Sequence, residues 1–513
     1  MQRKQGGDAF HLPDYSIRRA TFVTSTLIFC TILSLITSSC RAASTSHFST
    51  RTGNGGAFQK TQVASTSGIS VQGHSSEASA TATTSLAASG NQLINVPYFT
   101  TAVPFNQTAI FWFGDVTSTD TYTDVRIGYN SSELYIDLQI VDHYLWYDPT
   151  TSSPDVTKGD NATIYLNTTA NGSGVLDRSY KFQAEFNGYI QRTNYQKAYT
   201  GKGTAWTVAT IPFTAVYGWR GKGINGPEDS GWSMTYGIPF ASLGIVGPPS
   251  RGTLWKLAIK VHNQDDAADT PLPDKWWPAS ASELIPSSWG QIGFGIPTYQ
   301  SPKTSRTTTY TIRNKLNNQV VTDGMVGGSL SCGNRGLNRW TQWGIQSHPG
   351  AAQINIQDES DISDWNCFSK FYITFPLSSL PVGQKVVNAK ITLYEYGNSG
   401  VQGQPNPSYI QVATVSQNWG PATLTWNSAP LVQENITSML VNTKAQPVVP
   451  PPGVPITWDI SRAVARAYAT GQPLRLVFHS TDNQYNTGKY FWASSVGDWN
   501  ANGRPTLNVT LGF

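Results

Sequence analysis

The stretch Glu133–Val141, ELYIDLQIV, decides the fold class of this 513-residue chain. Leucine or isoleucine occupies every second position from 134 to 140, and Tyr135, Asp137 and Gln139 fill the places between. Alternation with a period of two is typical of a β-strand that buries one face and leaves the other polar. The stretch therefore predicts a strand of a β-sheet whose apolar face packs on a core and whose other face is polar.

The same alternation recurs on both sides of position 300. It is seen in residues 162–166, 257–261, 389–393, 474–478 and 507–513, with Ser, Asn and Gly turn residues between the segments. Repeated short strands with polar turns favour an all-β chain built of two β-sandwich (jelly-roll-like) domains. One helix is expected where Ile460, Val464 and Tyr468 share a face, with Asp459 or Ser461 as its cap and Gly471 as its end.

These segments divide the chain into five parts. Residues 1–42 are expected to be a signal peptide or a lipoprotein or membrane anchor, and residues 43–91 a disordered Ser/Thr/Gly linker. Residues 92–297 form the first block, 298–306 a short polar linker, and 307–513 the second block. Each block has about 200 residues, which is enough for a core of its own.

The N-terminal part carries Arg3, Lys4 and the Arg18-Arg19 pair before an apolar stretch that ends in small residues. This order indicates an export signal, so we expect an extracellular or cell-surface protein that meets a membrane only through this segment. An uncleaved membrane anchor stays open, as does acylation of Cys40 after Ser38-Ser39. A twin-arginine signal is the weaker alternative.

The composition is aromatic and poor in charge. There are 17 Trp, 23 Tyr and 20 Phe, yet only 13% of residues are charged and the formal net charge is +4. Without a Lys/Arg run, this balance disfavours a nucleic-acid partner. Flat rings on a rigid scaffold suit the apolar faces of sugars, so an oligosaccharide or polysaccharide ligand is expected.

Three motifs of the first block resemble family 9 carbohydrate-binding modules. They are DVRIGYNSSELYIDLQIVDHYLWYD (Asp124–Asp148), KGDNATIYLNT (Lys158–Thr168) and GWSMTYGIPFASLG (Gly231–Gly244). Modules of this kind are β-sandwiches on secreted polysaccharide enzymes, and they hold a sugar between tryptophan rings. The resemblance therefore implies a sandwich with a sugar site.

Four motifs of the second block resemble DNRLRE-type domains, which are close to family 96 carbohydrate-binding modules. They occupy Phe368–Tyr396, Trp419–Pro430, Ile456–Gly471 and Phe491–Thr510. Such domains are sandwich or jelly-roll modules on secreted proteins, some similar to alginate binders and others to stalk-like structural units. The resemblance implies that Trp419, Trp426 and Arg504 are structural.

The candidate sugar-binding rings of the first block are tryptophans in or near loops. They are Trp146, Trp219, Trp276, Trp277 and Trp289. Neighbouring strand residues face opposite sides, so one of Trp276 and Trp277 is expected to be exposed. The alternative is that these rings fill the core. In the second block, Trp340, Trp343, Trp365 and Trp499 lie in polar, loop-like contexts and are further candidates.

Two other kinds of site are considered. Asp265, Asp266 and Asp269 lie in an oxygen-rich loop that could hold calcium, but its spacing matches no EF-hand loop, so a plain solvated loop is the better interpretation. Cys332 and Cys367 are expected to form a disulfide if the chain is exported, the alternative being two free thiols. The acidic residues at 358–364 read as a solvated loop without catalytic use.

No catalytic template is found. The chain has no GxSxG elbow and no HExxH pair, and the GxGxxG at 221–226 lacks the strand and helix that a dinucleotide site needs. The leading hypothesis is a non-catalytic extracellular carbohydrate-binding protein, an accessory to polysaccharide degradation. The alternatives are a structural or adhesive surface protein and, third, a glycoside hydrolase-associated enzyme. Which glycan is bound is not decided by the sequence.

Overall fold

The computed structural model describes residues 92–147, 155–170, 172, 174–187, 195–221, 229–268, 270, 272–328, 337–358, 367–400, 405–442, 449–482, 484 and 486–513. The expected signal or anchor, the Ser/Thr/Gly linker and most of the GxGxxG loop lie outside these residues. Within the described part, every helix is too short or too polar to cross a lipid bilayer.

The first block is built of strands. They are β1 (Leu93–Val96), β2 (Ala109–Gly114), β3 (Tyr122–Tyr129), β4 (Glu133–Val141), β5 (Asn161–Asn167), β6 (Ser179–Glu185), β7 (Gln196–Lys202), β8 (Ala205–Ala209), β9 (Thr214–Gly221), β10 (Asp229–Pro239), β11 (Leu254–His262), β12 (Lys275–Trp277) and β13 (Gly290–Phe294). Short 3₁₀ turns lie at Phe105–Gln107, Phe240–Leu243 and Pro286–Ser288. The ELYIDLQIV stretch is strand β4, with its four apolar residues fully buried.

The second block is also built of strands, with one α-helix among its described residues. They are β14 (Thr307–Arg313), β15 (Thr322–Gly327), β16 (Gln353–Ile356), β17 (Ser369–Phe375), β18 (Lys385–Asn398), β19 (Ser408–Val415), β20 (Val432–Val441), β21 (Val454–Asp459), α1 (Ser461–Ala469), β22 (Leu474–Ser480), β23 (Lys489–Trp492) and β24 (Thr506–Gly512). Its 3₁₀ turns include Leu316–Asn318, Trp343–Ile345 and Asp498–Gly503. The predicted all-β class is confirmed.

The strands form three sheets in the described residues. A five-stranded sheet has the order β2-β3-β4-β10-β9, and a second sheet has the order β14-β24-β18-β23-β16 with β21 beside β18. The third runs through both blocks in the order β15-β17-β22-β19-β20-β1-β13-β11-β5-β6-β7-β8, with β12 beside β11. Each of the first two sheets packs on its own half of the long sheet, which gives two sandwiches.

The predicted helix is confirmed as α1. The Asp459 carboxylate accepts a hydrogen bond from the Ser461 amide at 2.9 Å, and the chain turns away at Gly471, whose φ is +65°. Ile460 and Val464 are fully buried and pack α1 on the second core. The apolar spacing of this stretch thus gives both the helix and the face it buries.

The long sheet crosses from one block to the other where β1 lies parallel to β20. At this point Asn95 and Asn435 exchange three hydrogen bonds: the Asn95 amide donates to Asn435 Oδ1 at 2.6 Å, Asn95 Nδ2 donates to the Asn435 carbonyl at 2.9 Å, and Asn435 Nδ2 donates to the Asn95 carbonyl at 2.8 Å. Both residues are buried. The bond set joins the two sandwiches through groups that water does not reach.

Two more side-chain amides of the second block form similar hydrogen bonds with the backbone of the first block. Gln411 accepts from the Ile110 amide at 3.0 Å and donates to the Ile110 carbonyl at 2.7 Å. Asn427 accepts from the Val116 amide at 3.0 Å and donates to the Val116 carbonyl at 3.1 Å. Each side-chain amide thus makes, with the backbone N–H and C=O of one residue of the first block, the two hydrogen bonds that a neighbouring strand would otherwise make. The hydrophobic core of the first sandwich extends into the second block, where Tyr372, Trp426 and Val477 join it, while the interior of the second sandwich forms a core of its own.

Candidate functional site

The alternation along β5 separates two kinds of residue. Ala162, Ile164 and Leu166 point into the core, so Thr163 and Tyr165 lie on the other side of the sheet. Both are fully buried although they lie on the side away from the core. Other parts of the chain therefore cover this side of the sheet. Whether it can bind a ligand depends on the side chains that these parts place around Thr163 and Tyr165.

The strands next to β5 bring basic and aromatic side chains to the same side. Tyr165 pairs with Lys181 on β6 and with Ala258 on β11. Lys260 on β11 pairs with Thr163 on one side and with Trp276 on β12 on the other. The register alone therefore places Lys181 on one side of the β5 row, and Lys260 with Trp276 on the other.

Four rings gather on this side, and we call them the aromatic face: Tyr165, Trp206, Trp276 and Trp289. Tyr165 stacks on Trp276 with centroids 5.4 Å apart and an interplanar angle of 24°, and it lies 5.9 Å from Trp206 and 5.7 Å from Trp289. Tyr165 and Trp289 are fully buried, whereas Trp206 and Trp276 are partly exposed. The buried pair supports the two rings that reach the surface.

Lysines and carboxylates border these rings. Lys181 Nζ lies 5.8 Å from the Tyr165 ring centroid and donates to Glu283 Oε1 at 2.8 Å. Lys260 Nζ lies 5.9 Å from the Trp276 ring centroid and donates to Asp274 Oδ2 at 3.2 Å. Each lysine is thus held over a ring by a carboxylate, which leaves further N–H donors for another partner.

Several buried polar atoms at this face have no hydrogen-bond partner among the described residues. They are the Trp206 indole Nε1, Gln183 Oε1 and His262 Nε2. The other ring nitrogen of His262 contacts Asp274 at 2.7 Å, which fixes the ring. Because buried polar groups are nearly always satisfied in native proteins, these atoms indicate water or a ligand hydroxyl as the missing partner.

The structure corrects two of the five predicted binding rings. Trp277 is fully buried on the core side of β12, where its centroid lies 4.4 Å from that of Phe111. Trp289 is fully buried beneath the aromatic face, and its indole donates to the Ser282 carbonyl at 2.7 Å. Neither ring can stack on a sugar from solvent. Of the adjacent pair, Trp276 is the one that reaches the surface, as the alternation requires.

The remaining two predicted rings lie elsewhere. Trp219 is on β9 in the five-stranded sheet, partly buried against the core and not part of the aromatic face. Trp146 follows β4 and is partly exposed; its amide donates to Asp160, the residue before β5, at 2.7 Å. The structure therefore gathers only Trp276 and Trp289 from the predicted set.

Tyr165 and Trp206 were missed by the sequence analysis. The signal for Tyr165 is its place between Ile164 and Leu166, on the polar side of an alternating strand. The signal for Trp206 is weaker, because β8 is short and mostly exposed and lacks a clear apolar period. Only the folded sheet, in which β5, β6, β7 and β8 follow one another, shows that the two rings meet.

The predicted metal and disulfide residues are only partly described. Burial raises the pKa of Asp265 to about 6, and both carboxylate oxygens of Asp266 accept hydrogen bonds from Thr270. Asp269 and Cys332 lie outside the described residues, and Cys367 is buried. Calcium binding and the disulfide stay predictions.

A second group of charged side chains lies between the two blocks. The carboxylates of Asp124 and Asp358 and the imidazole of His479 have ligand atoms within 4.8 Å of one another, and all three residues are buried. Arg126 lies against them, and its guanidinium donates to Asp358 Oδ2 at 2.5 Å. The expectation that Asp358 belongs to a solvated loop is wrong, because it is paired inside the protein. The residues 359–364 lie outside the described part.

Lys370 completes this group. Its ammonium lies 3.6 Å from the ring centroid of Trp426, 4.0 Å from that of Trp112 and 4.6 Å from that of Tyr122, and it donates to the Tyr122 hydroxyl. Burial lowers the pKa of Lys370 to about 7. Two carboxylates already face Arg126 and Lys370, so the group balances its own charge and reads as a structural joint between the blocks.

The tryptophans of the second block, like those of the first, include both buried and exposed rings. Trp426 is buried, as its motif implies, and Trp343 is buried too, so it is wrong as a ligand candidate. Trp340 is partly buried against the core. Trp499 is 66% exposed. Trp365 lies outside the described residues.

The family comparison gives one match. Residues 346–509 match the model of "Carbohydrate-binding module family 96". This range contains all or nearly all of each of the four motifs quoted for the second block, and it is about a third of the chain. The search of curated proteins finds no match.

The chain is also similar to solved structures of family 9 carbohydrate-binding modules from Caldicellulosiruptor kristjanssonii. One, in complex with glucose, shares 15% identity at a TM-score of 0.29 and covers 41% of this chain and 100% of its own. Another, in complex with cellotriose, shares 13% identity at a TM-score of 0.28 and covers 40% of this chain and 95% of its own. The family 96-like resemblance of the second block thus recurs in the family match, and the DNRLRE-type resemblance stays a prediction.

Proposed function

We propose that this chain binds carbohydrate at the aromatic face, through the exposed parts of Trp206 and Trp276. The observation that carries the proposal is the combination of two partly exposed indoles, two lysines fixed over rings, and buried polar atoms that lack partners. Sugars offer apolar C–H faces for stacking and hydroxyl groups that both donate and accept hydrogen bonds. The face offers matching groups for each.

The rings are held ready for a ligand. Tyr165 and Trp289 support Trp276 and Trp206 from below, and the lysines are positioned by carboxylates on other segments. A site whose rings are already fixed loses little side-chain entropy on binding, so more of the contact energy appears as affinity. The match of residues 346–509 to a carbohydrate-binding module family supports the same ligand class.

The proposal extends to the biological setting. We infer an exported protein that holds a polysaccharide at the cell surface or in the medium without cleaving it, as an accessory to polysaccharide degradation. The motivation is the apolar N-terminal segment with its basic flank, together with the absence of a catalytic template in the sequence. Sugar release by the purified protein would overturn the non-catalytic part.

The test is depletion binding to insoluble cellulose, xylan and alginate, followed by titration of tryptophan fluorescence with soluble oligosaccharides. We expect Trp276→Ala to weaken the best ligand about tenfold or more, since it removes a stacking ring. The matched control is Trp219→Ala, which removes another partly buried indole from the opposite sheet. Equal binding by wild type and Trp276→Ala, or loss of binding in the Trp219→Ala control alone, would contradict the aromatic face.

A structural or adhesive role is the second candidate, and one observation favours it. The three amide pairs and the buried charges join the two sandwiches rigidly, as a load-transmitting unit requires. Failure to bind any glycan on a broad panel would favour this candidate. The partly exposed Trp276, Trp206 and Trp146 favour the carbohydrate ligand.

A further inference from the structure

The second sandwich carries an exposed indole of its own. Trp499 lies in the 3₁₀ turn Asp498–Gly503, with 66% of its surface exposed. Among the tryptophans that the structure describes, it alone falls in the exposed class; the others are buried or partly buried. Single exposed apolar side chains are common at protein surfaces, so what matters here is how the ring is held and which groups lie beside it.

The ring is held in place from one side. A side chain at Gly497 would meet the indole, since an added Cβ would lie 2.7 Å from Trp499 Cδ1, so the glycine lets the ring rest on the backbone. Trp492 meets Trp499 edge to face at 5.4 Å and 89°, and Trp492 stacks on Tyr396 at 4.2 Å and 27°. Trp499 thus rests on the nearly buried Trp492, which Tyr396 supports in turn.

The backbone under the ring is fixed as well. The buried Arg504 donates to the Val496 carbonyl from Nε at 3.1 Å and from Nη2 at 2.8 Å, and it also donates to the Asp498 carboxylate. The turn therefore cannot easily fold the indole inward to hide it. An exposed ring on a rigid support is what a stacking platform requires.

Charged groups of both signs lie at the turn that carries the ring. Lys315 Nζ donates to Asp498 Oδ1 at 3.0 Å, and both side chains are mostly exposed. Arg313 donates to Asn502 Oδ1 at 3.2 Å on the same turn. Beneath, the Trp492 indole and the Tyr396 hydroxyl are buried without a hydrogen-bond partner among the described residues. A ligand with hydroxyl groups around an apolar face matches this surrounding.

We propose that Trp499 and its border form a second carbohydrate platform, which stacks on the pyranose face of a polysaccharide. The proposal rests on the proposed function, because it gives the second sandwich the same ligand class as the first. A protein with two platforms can bind one polysaccharide chain, or two adjacent chains, at both sites at once. The overall affinity for the polymer then exceeds the affinity of either platform alone.

The experiment compares four full-length proteins: wild type, Trp499→Ala, Trp276→Ala and the double variant. Binding is measured by depletion on insoluble polysaccharide, with a neutral glucan and an acidic alginate as separate arms. We expect Trp499→Ala to weaken binding about tenfold and the double variant to lose it. If only the alginate arm responds and the response vanishes at high salt, the ligand is the acidic sugar bound through Lys315 and Arg313.

The control is Phe513→Ala, which removes a ring of nearly equal exposure, 69%, from the end of the same sandwich. Thermal unfolding must be unchanged in Trp499→Ala, as expected for an exposed ring. Wild-type binding by Trp499→Ala in both arms, with loss of binding in Trp276→Ala, would overturn the second platform and leave the proposed function standing. Wild-type binding by all variants, or no binding by the wild type, would overturn both.

Discussion

The aromatic face and the joint between the blocks both place lysines over aromatic rings, but only one of them meets water. At the joint, Lys370 is enclosed by three rings, and burial lowers its pKa to about 7. At the aromatic face, Lys181 and Lys260 lie over rings while their ammonium groups bond partly exposed carboxylates. The same pairing of lysine with aromatic rings therefore holds the two blocks together in one place and, in our proposal, contacts the ligand in the other.

The difference is whether solvent, and therefore a ligand, reaches the group. Both regions contain buried polar atoms without a hydrogen-bond partner among the described residues. At the joint the charged side chains are all buried and face one another, so removing one of them leaves a buried charge with fewer partners. The aromatic face has rings with an open side. We therefore expect changes at the joint to alter stability and changes at the face to alter binding.

The largest effect should come from breaking the buried ion pair. Arg126→Met removes the ion-pair partner of the buried Asp358 carboxylate, so we expect the free energy of unfolding to fall by about 3–5 kcal/mol. Urea denaturation monitored by tryptophan fluorescence measures it. The control, Lys315→Met, removes an exposed pair and should leave the transition midpoint unchanged. A loss below about 1 kcal/mol for Arg126→Met would contradict the assignment of this group as the joint.

Removing one of the side-chain amides that link the two blocks should have the next largest effect. Gln411→Ala leaves the buried amide and carbonyl of Ile110 without partners, and we expect a loss of about 1–3 kcal/mol in the free energy of unfolding. Gln346→Ala, which removes a surface hydrogen bond, should change it by less than about 0.5 kcal/mol. Equal effects in the two variants would mean that the amide pairs do not hold the blocks together.

The joint should also respond to acid through His479. Burial, with Lys370 and Arg126 nearby, lowers the pKa of His479 well below its usual value, while Asp124 and Asp358 face the ring. The unfolded chain takes up a proton here below about pH 6.5 and the folded chain does not. This contribution to stability is therefore lost as the pH falls, at up to about 1.4 kcal/mol per pH unit.

The measurement is the difference in unfolding free energy between wild type and His479→Gln at pH 7 and at pH 5. Titrating groups remote from His479 contribute alike to both proteins and cancel in the difference. We expect wild type to lose more stability than the variant between the two values. Parallel loss in the two proteins would show that His479 is protonated in the fold.

The smallest effect should be on binding at the aromatic face. Lys260→Met removes a donor beside Trp276, and we expect a few-fold weaker affinity for oligosaccharide with the unfolding midpoint nearly unchanged. Lys275→Met is the matched control, because the two lysine side chains are 18% and 19% exposed and lie on neighbouring strands that present them to opposite sides. Fluorescence titration distinguishes them. Equal weakening in the two variants would contradict a specific role for the face.

Much of the architecture was predictable because it depends on local alternation. The period of two in β4, β5 and β11 requires strands, and the spacing of Ile460, Val464 and Tyr468 requires a helix. These patterns concern residues a few positions apart, where geometry is set by the backbone itself. The same rule correctly separated Trp276 from Trp277.

The candidate site was predictable only in part. Trp277 and Trp289 have the same residue type and similar polar neighbours in sequence as Trp276, yet they are buried. Their surroundings come from β2 and from Tyr165, which lie more than 100 positions away. Nothing local to a tryptophan reveals which distant strand will cover it.

The sequence by itself determined that this protein is all-β, where six of its strands and its helix lie, and that it is rich in aromatic rings, because these follow from short-range periodicity and composition. Only the tertiary structure decided which rings reach solvent and that Asp358 is paired with Arg126 across 232 positions. It also showed that one sheet runs through both sandwiches. Burial and charge compensation depend on contacts between distant segments, and those contacts exist only once the chain has folded.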